Sequence, residues 1–482
     1  MGNKITLIIF FIITTLLFVF FLNYPTSNSG GDIVEYFGMS ESFISHGGVD
    51  LTDVDYNKLR KYLNAGYFTD PASTDQNGGF LYYMKGQDGR SYPVHFFFYS
   101  LLSVPVRLFL KFFYMDQLIT LRLTNLIILT VTVAFILKYF ISGFFQRLVF
   151  LTLVYLSPII FFIIWPGPDI YYISFLLLGI FLFYKNKLIP SILCFGMASW
   201  QSQPLVVLAL GSLMYFVYQN RKNLKNAILT ILFLGLLIFV PYIFNYWAFG
   251  VFTPWTILDD GWTRIYGFGL QNVHVRKLFE QFFDLNIGLF WYAPILTIGG
   301  LFAFLASVRK EAKNLWMLIL VVVTAFAYQT NPAWHYGTAG YGPTRHILFI
   351  IPFLIYFFVN RIRPNLQGVF LLIIFAMSQI YILPMNSFLA PKFENSLEHS
   401  PYAKWVLSRY PYLYNPTPEI FVDRTNHSDL KYIKSAIYKE GTVCKKAFIL
   451  PGDKELLISE CGYIPPSYEQ KAGGEGMYVN YQ

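Results

Sequence analysis

The chain alternates long apolar stretches with short polar turns, and the turns differ in charge. An uncharged run from Ile5 to Leu22 follows Lys4. Further apolar runs occupy 118–140, 148–164, 170–184, 188–202, 204–218, 226–247, 287–308, 315–329, 346–359 and 366–383. A perpendicular membrane span needs about 20 residues. Several runs are shorter, which suits helices extended by polar-ended turns or broken in mid-run. The pattern predicts an all-α polytopic membrane protein with about eleven transmembrane helices.

Positive charges give this array a direction. Lys4 precedes the first run, and Lys138 and Arg147 flank the turn between the second and third. Lys185 and Lys187 follow the fourth, Arg221, Lys222 and Lys225 the sixth, Arg309, Lys310 and Lys313 the eighth, and Arg361 and Arg363 the tenth. Every second turn is basic, as expected when basic turns stay in the cytoplasm. The N-terminus is then cytoplasmic and the region from about Met385 lies outside. The first run competes with a signal peptide. The segment NYPTSNSG after it lacks a small-x-small cleavage site, so it reads as an uncleaved anchor.

One apolar stretch breaks the alternation. The segment 95–113 contains Pro105, Arg107 and Lys111, and counting it as a span would invert part of the chain. It is expected as an amphipathic helix on the outer surface, with its basic residues toward the headgroups. The chain then divides into a membrane domain, 1–384, and an extracytoplasmic C-terminal domain, 385–482. Two long external loops, 23–117 and 248–286, belong to the first. In the C-terminal domain, KAFILPGDKELLISECGYI has the apolar-turn-apolar look of a β-hairpin, which predicts a small α+β or β-rich unit. GGEGMY reads as a flexible tail. Cys444 and Cys461 fall in the oxidising space and are expected to pair, a closure contributing about 3 kcal/mol. Cys194 reads as a buried thiol.

Composition agrees. The chain is 55% hydrophobic and 13% charged, against roughly 25% charged in soluble proteins. The net charge of +9 does not indicate nucleic-acid binding, because the basic residues sit in short topological clusters rather than one stripe.

Candidate chemistry is external. The first loop is acidic, and Asp32 opens it ten residues past the first run, followed by Glu35 and Tyr36. So near an anchored helix end, Asp32 suits a base acting at headgroup depth; it could equally cap the helix beginning near Val34. Asp169 sits in WPGPD, where capping the next helix is the competing role. Gln201 and Gln203 lie in ASWQSQP, and His335 and Arg345 in NPAWHYGTAGYGPTRH. Arg345 suits phosphate oxygens or headgroup snorkelling, and His335 either a ligand or a structural role. From 148 to 383 the spans carry essentially no ionisable side chains, unlike proton-coupled transporters and ion channels.

Five segments in order resemble the prokaryotic glycosyltransferases of the GT-C superfamily, the class that uses polyprenyl-phosphate sugars and includes protein mannosyltransferases and the aminoarabinose transferases of lipid A. They are Gly31-Asp32 through Tyr36, DGRSYPVHFFFYSLLSVPVR (88–107), NYWAFGVFTPW (245–255), GLFWYAPILTIGGLFAF (288–304) and WHYGTAGYGPTRHILFIIPF (334–353). The resemblance covers most of 1–385. It implies a multi-pass protein of a bacterial inner membrane that builds a cell-envelope glycan. A sugar would pass, with inversion, from a polyprenyl phosphate to a glycan, lipid or protein hydroxyl. It implies Asp32 as catalytic base. A second acid follows directly in many members; here that position is Ile33, with Glu35 two further on. Arg345 matches one arginine of the late turn, while its family neighbour is Thr344 here. Arg345, with Arg264, Arg276 or Lys277, would meet the donor phosphate. Asp32, Glu35 and Asp169 could together hold Mg²⁺ or Mn²⁺, which favour oxygen ligands. A lipid or polysaccharide flippase and an O-antigen ligase or polymerase remain as alternatives.

Overall fold

The computed structural model describes residues 2–24, 33–64, 83–165, 167–253, 269–336, 341–387, 397–427, 434–466, 468 and 476–481. The chain is mostly helical, and each of the eleven apolar runs forms helix. Four helices are individually long and apolar enough to cross a membrane: Lys4–Asn23, Gln117–Tyr139, Ala312–Gln329 and Leu366–Met385. Two bent pairs raise the number to six. Phe144–Tyr155 and Pro158–Ile164 meet at 46°, and Ala227–Ile238 and Val240–Phe249 at 54°. Each break has a proline beside it, Pro158 and Pro241, which has no N–H to continue the helical ladder. Asp169–Tyr184, Leu188–Gln201, Gln203–Gln219 and Pro294–Val308 are apolar but shorter.

The Asp169–Tyr184 helix is apolar on all sides and buried on nearly all of them, as a central helix should be. It packs against Thr120–Tyr139, Leu188–Gln201 and Ile351–Arg361. By contrast, helix α1 (Gly2–Asn23) leaves Leu7, Ile8, Phe11 and Leu16 exposed, and Leu366–Met385 does the same with Phe370, Met377 and Ile380. Apolar exposure on this scale is unfavourable in water and expected against lipid.

The first loop folds onto one end of the bundle. Helix α2 (Ile33–Ser45) packs on α3 (Asp53–Asn64) and on α4 (Phe98–Phe112). Strands β1 (Tyr83–Lys85) and β2 (Ser91–Pro93) form an antiparallel hairpin. Its turn is the DGR segment: Asp88 accepts from the Arg90 N–H (3.0 Å) and the Tyr92 hydroxyl (2.8 Å), and Gly89 supplies the left-handed φ of 79°. The tip docks through the Gln87 N–H on the Ala248 carbonyl, 2.8 Å.

Helix α4 is amphipathic, but Arg107 does not face outward as expected. It is buried and turned toward α2. One guanidinium nitrogen, Nη1, donates to the Phe37 carbonyl (2.7 Å) and Ser40 Oγ (2.6 Å), and Nη2 donates to Glu41 Oε2 (2.6 Å). The Phe37 ring lies 3.8 Å below it. Buried carboxylate and guanidinium satisfy one another, while Leu108, Phe109, Phe112 and Phe113 take the exposed face.

The C-terminal region carries its own small cores and a three-stranded antiparallel sheet: β3 (Ala436–Glu440), β4 (Val443–Ile449) and β5 (Met477–Asn480), with β4 central. Two expectations are corrected. After β4 the chain turns into a helix, Lys454–Cys461, so the hairpin is β3–β4 rather than β4 with ELLISEC. The strand Met477–Asn480 shows that the end of GGEGMYVN is paired rather than loose; residues 471–475 lie outside the described residues. Cys444 on β4 and Cys461 at the helix end are joined by a disulfide.

Candidate functional site

The helix ends that carry the candidate residues are the ones the charge pattern assigns to the outside, and the structure brings most of them together. Asp32 lies outside the described residues, directly before Ile33, the first residue of α2. The two residues expected to accompany it occupy the first turn of α2. Glu35 is fully buried and both its carboxylate oxygens meet His95: Oε1 accepts the His95 backbone N–H at 2.7 Å, and Oε2 lies 2.6 Å from Nδ1. The β-hairpin makes this possible, because β2 ends at Pro93 and delivers His95 to α2. Tyr83 on β1 adds a hydroxyl donated to the Glu35 carbonyl, 3.1 Å. That approach needs Gly38, where a Cβ would lie 2.5 Å from the Tyr83 hydroxyl.

Tyr36 continues the chain of contacts. Its ring meets Tyr99 edge-on at 5.4 Å. The Tyr99 hydroxyl donates to Asn125 Oδ1 (2.9 Å), and Asn125 Nδ2 donates to the carbonyls of Trp165 (3.0 Å) and Gly167 (3.3 Å). Asn125 thus ties the first-loop helices to the WPGPD turn. Asp169, two residues on, is buried and is the first residue of the central helix, whose N-cap is Pro168. Asp169 Oδ1 instead accepts the Tyr172 hydroxyl at 2.9 Å, and the same hydroxyl lies 3.0 Å from the Arg345 carbonyl. Tyr172 thus bridges the Asp169 side chain and the Arg345 backbone. Arg345 is half-buried at the start of a 3₁₀ turn, and its N–H donates to Tyr336 O at 3.1 Å. Tyr328 pairs with Ser202 at 2.5 Å, and Gln201 Nε2 donates to Phe96 O at 2.6 Å. ASWQSQP therefore abuts the segment that carries His95.

His335, one residue before the Tyr336 carbonyl that meets Arg345, and Arg276 both line a seam between the membrane domain and the C-terminal domain. His335 is buried with Nε2 3.6 Å from Asp423, and its carbonyl accepts from Arg424 at 3.2 Å. Burial, then the charges of Arg424 and Lys277, hold its imidazole well below the usual range. Arg276 donates to Glu280 (2.9 Å) and to the Asn415 carbonyl, and Lys277 to Glu419 at 3.1 Å. Asp284 accepts the Tyr414 hydroxyl (2.7 Å) and the N–H groups of Asn286 and Ile287 (2.8 and 3.1 Å). Asn286 Oδ1 accepts the Ser400 N–H at 2.8 Å. Burial and the neighbouring Asp284 push the Glu280 carboxyl up to about 7. Arg264 lies outside the described residues.

Among the described residues no group of three or more His, Cys, Asp or Glu side chains is placed to hold a metal. Of the three carboxylates considered for one, Asp32 lies outside the described residues, Glu35 meets His95 and Asp169 meets Tyr172. His95 and Tyr172 were not singled out in the sequence. The signal for His95 was its place in DGRSYPVH, two residues beyond Pro93, and for Tyr172 its place one helical turn after Asp169. Compared with family models, curated proteins and solved structures, the chain matches none.

Proposed function

We propose that the protein is a membrane glycosyltransferase that moves a sugar from a polyprenyl phosphate, such as undecaprenyl phosphate, to an acceptor hydroxyl on the extracytoplasmic face. The observation that carries this reading is the convergence at one end of the bundle. The α2 start that follows Asp32 is linked through Tyr36, Tyr99 and Asn125 to the Asp169–Tyr172–Arg345 cluster. In this reading the shorter helices also cross the bilayer, giving eleven spans. The N-terminus and the basic turns are cytoplasmic and the C-terminal domain is outside, in a bacterial inner membrane.

The step is a single displacement. The acceptor oxygen attacks the anomeric carbon and its proton passes to the Asp32 carboxylate. The bond from that carbon to the phosphate oxygen breaks, its electron pair leaves on the phosphate, and the anomeric centre inverts. A positioned base of this kind contributes roughly 10²–10⁴ in rate. Arg345 stabilises the departing phosphate, in a region where apolar walls strengthen its charge. Glu35 and Tyr36 shape the floor beside Asp32, and Asp169 with Tyr172 fixes the backbone from which Arg345 projects.

The test is transfer from polyprenyl-phosphate sugars to a detergent extract of envelope glycans, comparing the native chain with Asp32→Asn. Loss of transfer with retained donor binding supports the reading. Transfer directly from a soluble nucleotide-sugar would remove it.

A further inference from the structure

The Val275–Phe283 helix of the second long loop is built inside out. Its polar residues Lys277, Glu280 and Gln281 are buried. Lys277 donates to Glu419 at 3.1 Å, Glu280 Oε1 accepts the Thr417 N–H at 2.8 Å, and Arg276 donates to the Asn415 carbonyl. The C-terminal domain thus takes the polar side of the helix. On the other side Val275, Phe279 and Phe283, each about one turn from the next, are 75%, 63% and 37% exposed. A surface helix of a soluble protein has the reverse arrangement, so this face is not shaped for water. The strip continues onto the bundle. The Phe279 ring meets Phe283 at 4.8 Å, Phe283 meets Phe290 at 5.8 Å, and Phe290 meets Trp291 at 5.2 Å. Trp291 Nε1 donates to the Phe283 carbonyl at 2.9 Å, which ties the strip to the short helix Leu289–Tyr292. That helix leads into Pro294–Val308 and packs against Leu366–Met385, which is long enough to cross a membrane. Ile298 and Phe302 on the first, and Met377 and Ile380 on the second, are exposed in the same way. The Tyr402 hydroxyl donates to the Trp291 carbonyl (3.1 Å) and lies 3.5 Å from Asn386 Nδ2, so the strip sits at the Met385 end of that span. Aromatic side chains gather at this level where a membrane meets water.

We propose that the Val275–Phe283 helix docks on the outer leaflet, with the boundary between lipid headgroups and acyl chains as its partner, and that the C-terminal domain rests on the membrane through it. Continuity with the exposed apolar faces of Pro294–Val308 and Leu366–Met385 argues for lipid as the occupant. An interfacial helix ordinarily turns its polar side to water; here the C-terminal domain takes the place of water. The inference rests on the membrane placement and sidedness of the proposed function, and not on its sugar chemistry.

The experiment places single spin labels on the full chain in phosphatidylcholine nanodiscs, in a Cys194→Ala background, and reads their collisions with oxygen and with a water-soluble nickel chelate. Val275→Cys and Phe279→Cys report the helix, Met377→Cys the bundle surface, and Glu455→Cys, exposed on the C-terminal domain, the solvent. The labels at Val275 and Phe279 are expected to favour oxygen over nickel, at a depth of about 5–10 Å into the boundary and shallower than Met377. The label at Glu455 is expected to favour nickel. A Phe279 label as open to nickel as that at Glu455, with Met377 in lipid, overturns the docking alone. So does a Phe279 label shielded from both reagents, or broadened by the label of a second copy, since protein would then cover the face. Nickel access at Met377 overturns the membrane placement and this inference with it. Phe279→Asp leaves the inward bonds in place and tests the support of the C-terminal domain. Hydrogen exchange in Pro418–Thr425 is expected to rise in nanodiscs, and unchanged exchange overturns that part.

Discussion

Asp169 and Arg345, far apart in the chain, share one partner: the Tyr172 hydroxyl lies 2.9 Å from the Asp169 carboxylate and 3.0 Å from the Arg345 carbonyl. A phenol carries a single proton, so the two acceptors share one donor, and Tyr172→Phe removes it. Tyr172→Phe is expected to lower transfer at least tenfold while leaving the bundle folded. A loss of about 1–3 kcal/mol follows from the unmet buried acceptor. Activity and thermal unfolding measured on the same detergent preparation check this; unchanged activity would separate Tyr172 from the site.

The Arg107–Glu41 pair holds α2 against α4. Arg107→Met leaves the buried Glu41 carboxylate with Lys58 alone, 2.8 Å away, and should destabilise by about 1–3 kcal/mol. The double variant with Glu41→Leu should recover much of that loss, because replacing both partners of a buried pair by apolar groups is often nearly neutral. A double-mutant cycle by chemical unfolding gives the answer.

The seam to the C-terminal domain should depend on pH. Burial, followed by the Asp284 charge, raises the folded Glu280 carboxyl from 4.5 to about 7. Between those values the folded chain holds a proton that the unfolded chain has lost, so stability falls as pH rises from about 4.5 to 7. Burial also pushes Lys446 down to about 7. Above that value the unfolded chain holds the extra proton, and stability rises toward 10.5. The seam is therefore least stable near neutrality. Limited proteolysis at the junction across pH 5, 7 and 9 should show a maximum at 7. Glu280→Gln should flatten the acid limb and Lys446→Met the alkaline one.

Reducing the Cys444–Cys461 bond should loosen the sheet domain by about 3 kcal/mol and leave the membrane helices untouched. Hydrogen exchange with and without reductant checks it: protection should drop in β4 and Lys454–Cys461, with none lost in Asp169–Tyr184.

Much of the architecture was legible because it rests on local patterns. Runs such as 170–184 are apolar on every face and form the buried core, whereas the hairpin that DGR turns was not read from the sequence, although Asp88 and Gly89 suit a turn. What was not legible depends on distant partners. Nothing near Arg107 reveals that Glu41 waits on α2, so a basic residue on an amphipathic helix was expected to face outward. ELLISEC has strand-like residues, yet the turn before it and the tie from Cys461 to β4 favour a helix. His335 looked available in a Gly-rich turn, but Asp423 and Arg424 of the C-terminal domain enclose it. The Glu35–His95 contact joins residues whose proximity requires the whole first loop to fold.

The central claim is that Asp32, at the entrance of α2, removes the proton from an acceptor hydroxyl while the sugar leaves its lipid phosphate. The most direct measurement is single-turnover transfer from a radiolabelled polyprenyl-phosphate sugar by native protein and by Asp32→Asn, with donor binding measured in parallel. The expected result is a fall of roughly 10²–10⁴ in the rate of transfer with donor affinity unchanged. Transfer at the native rate by Asp32→Asn would contradict it.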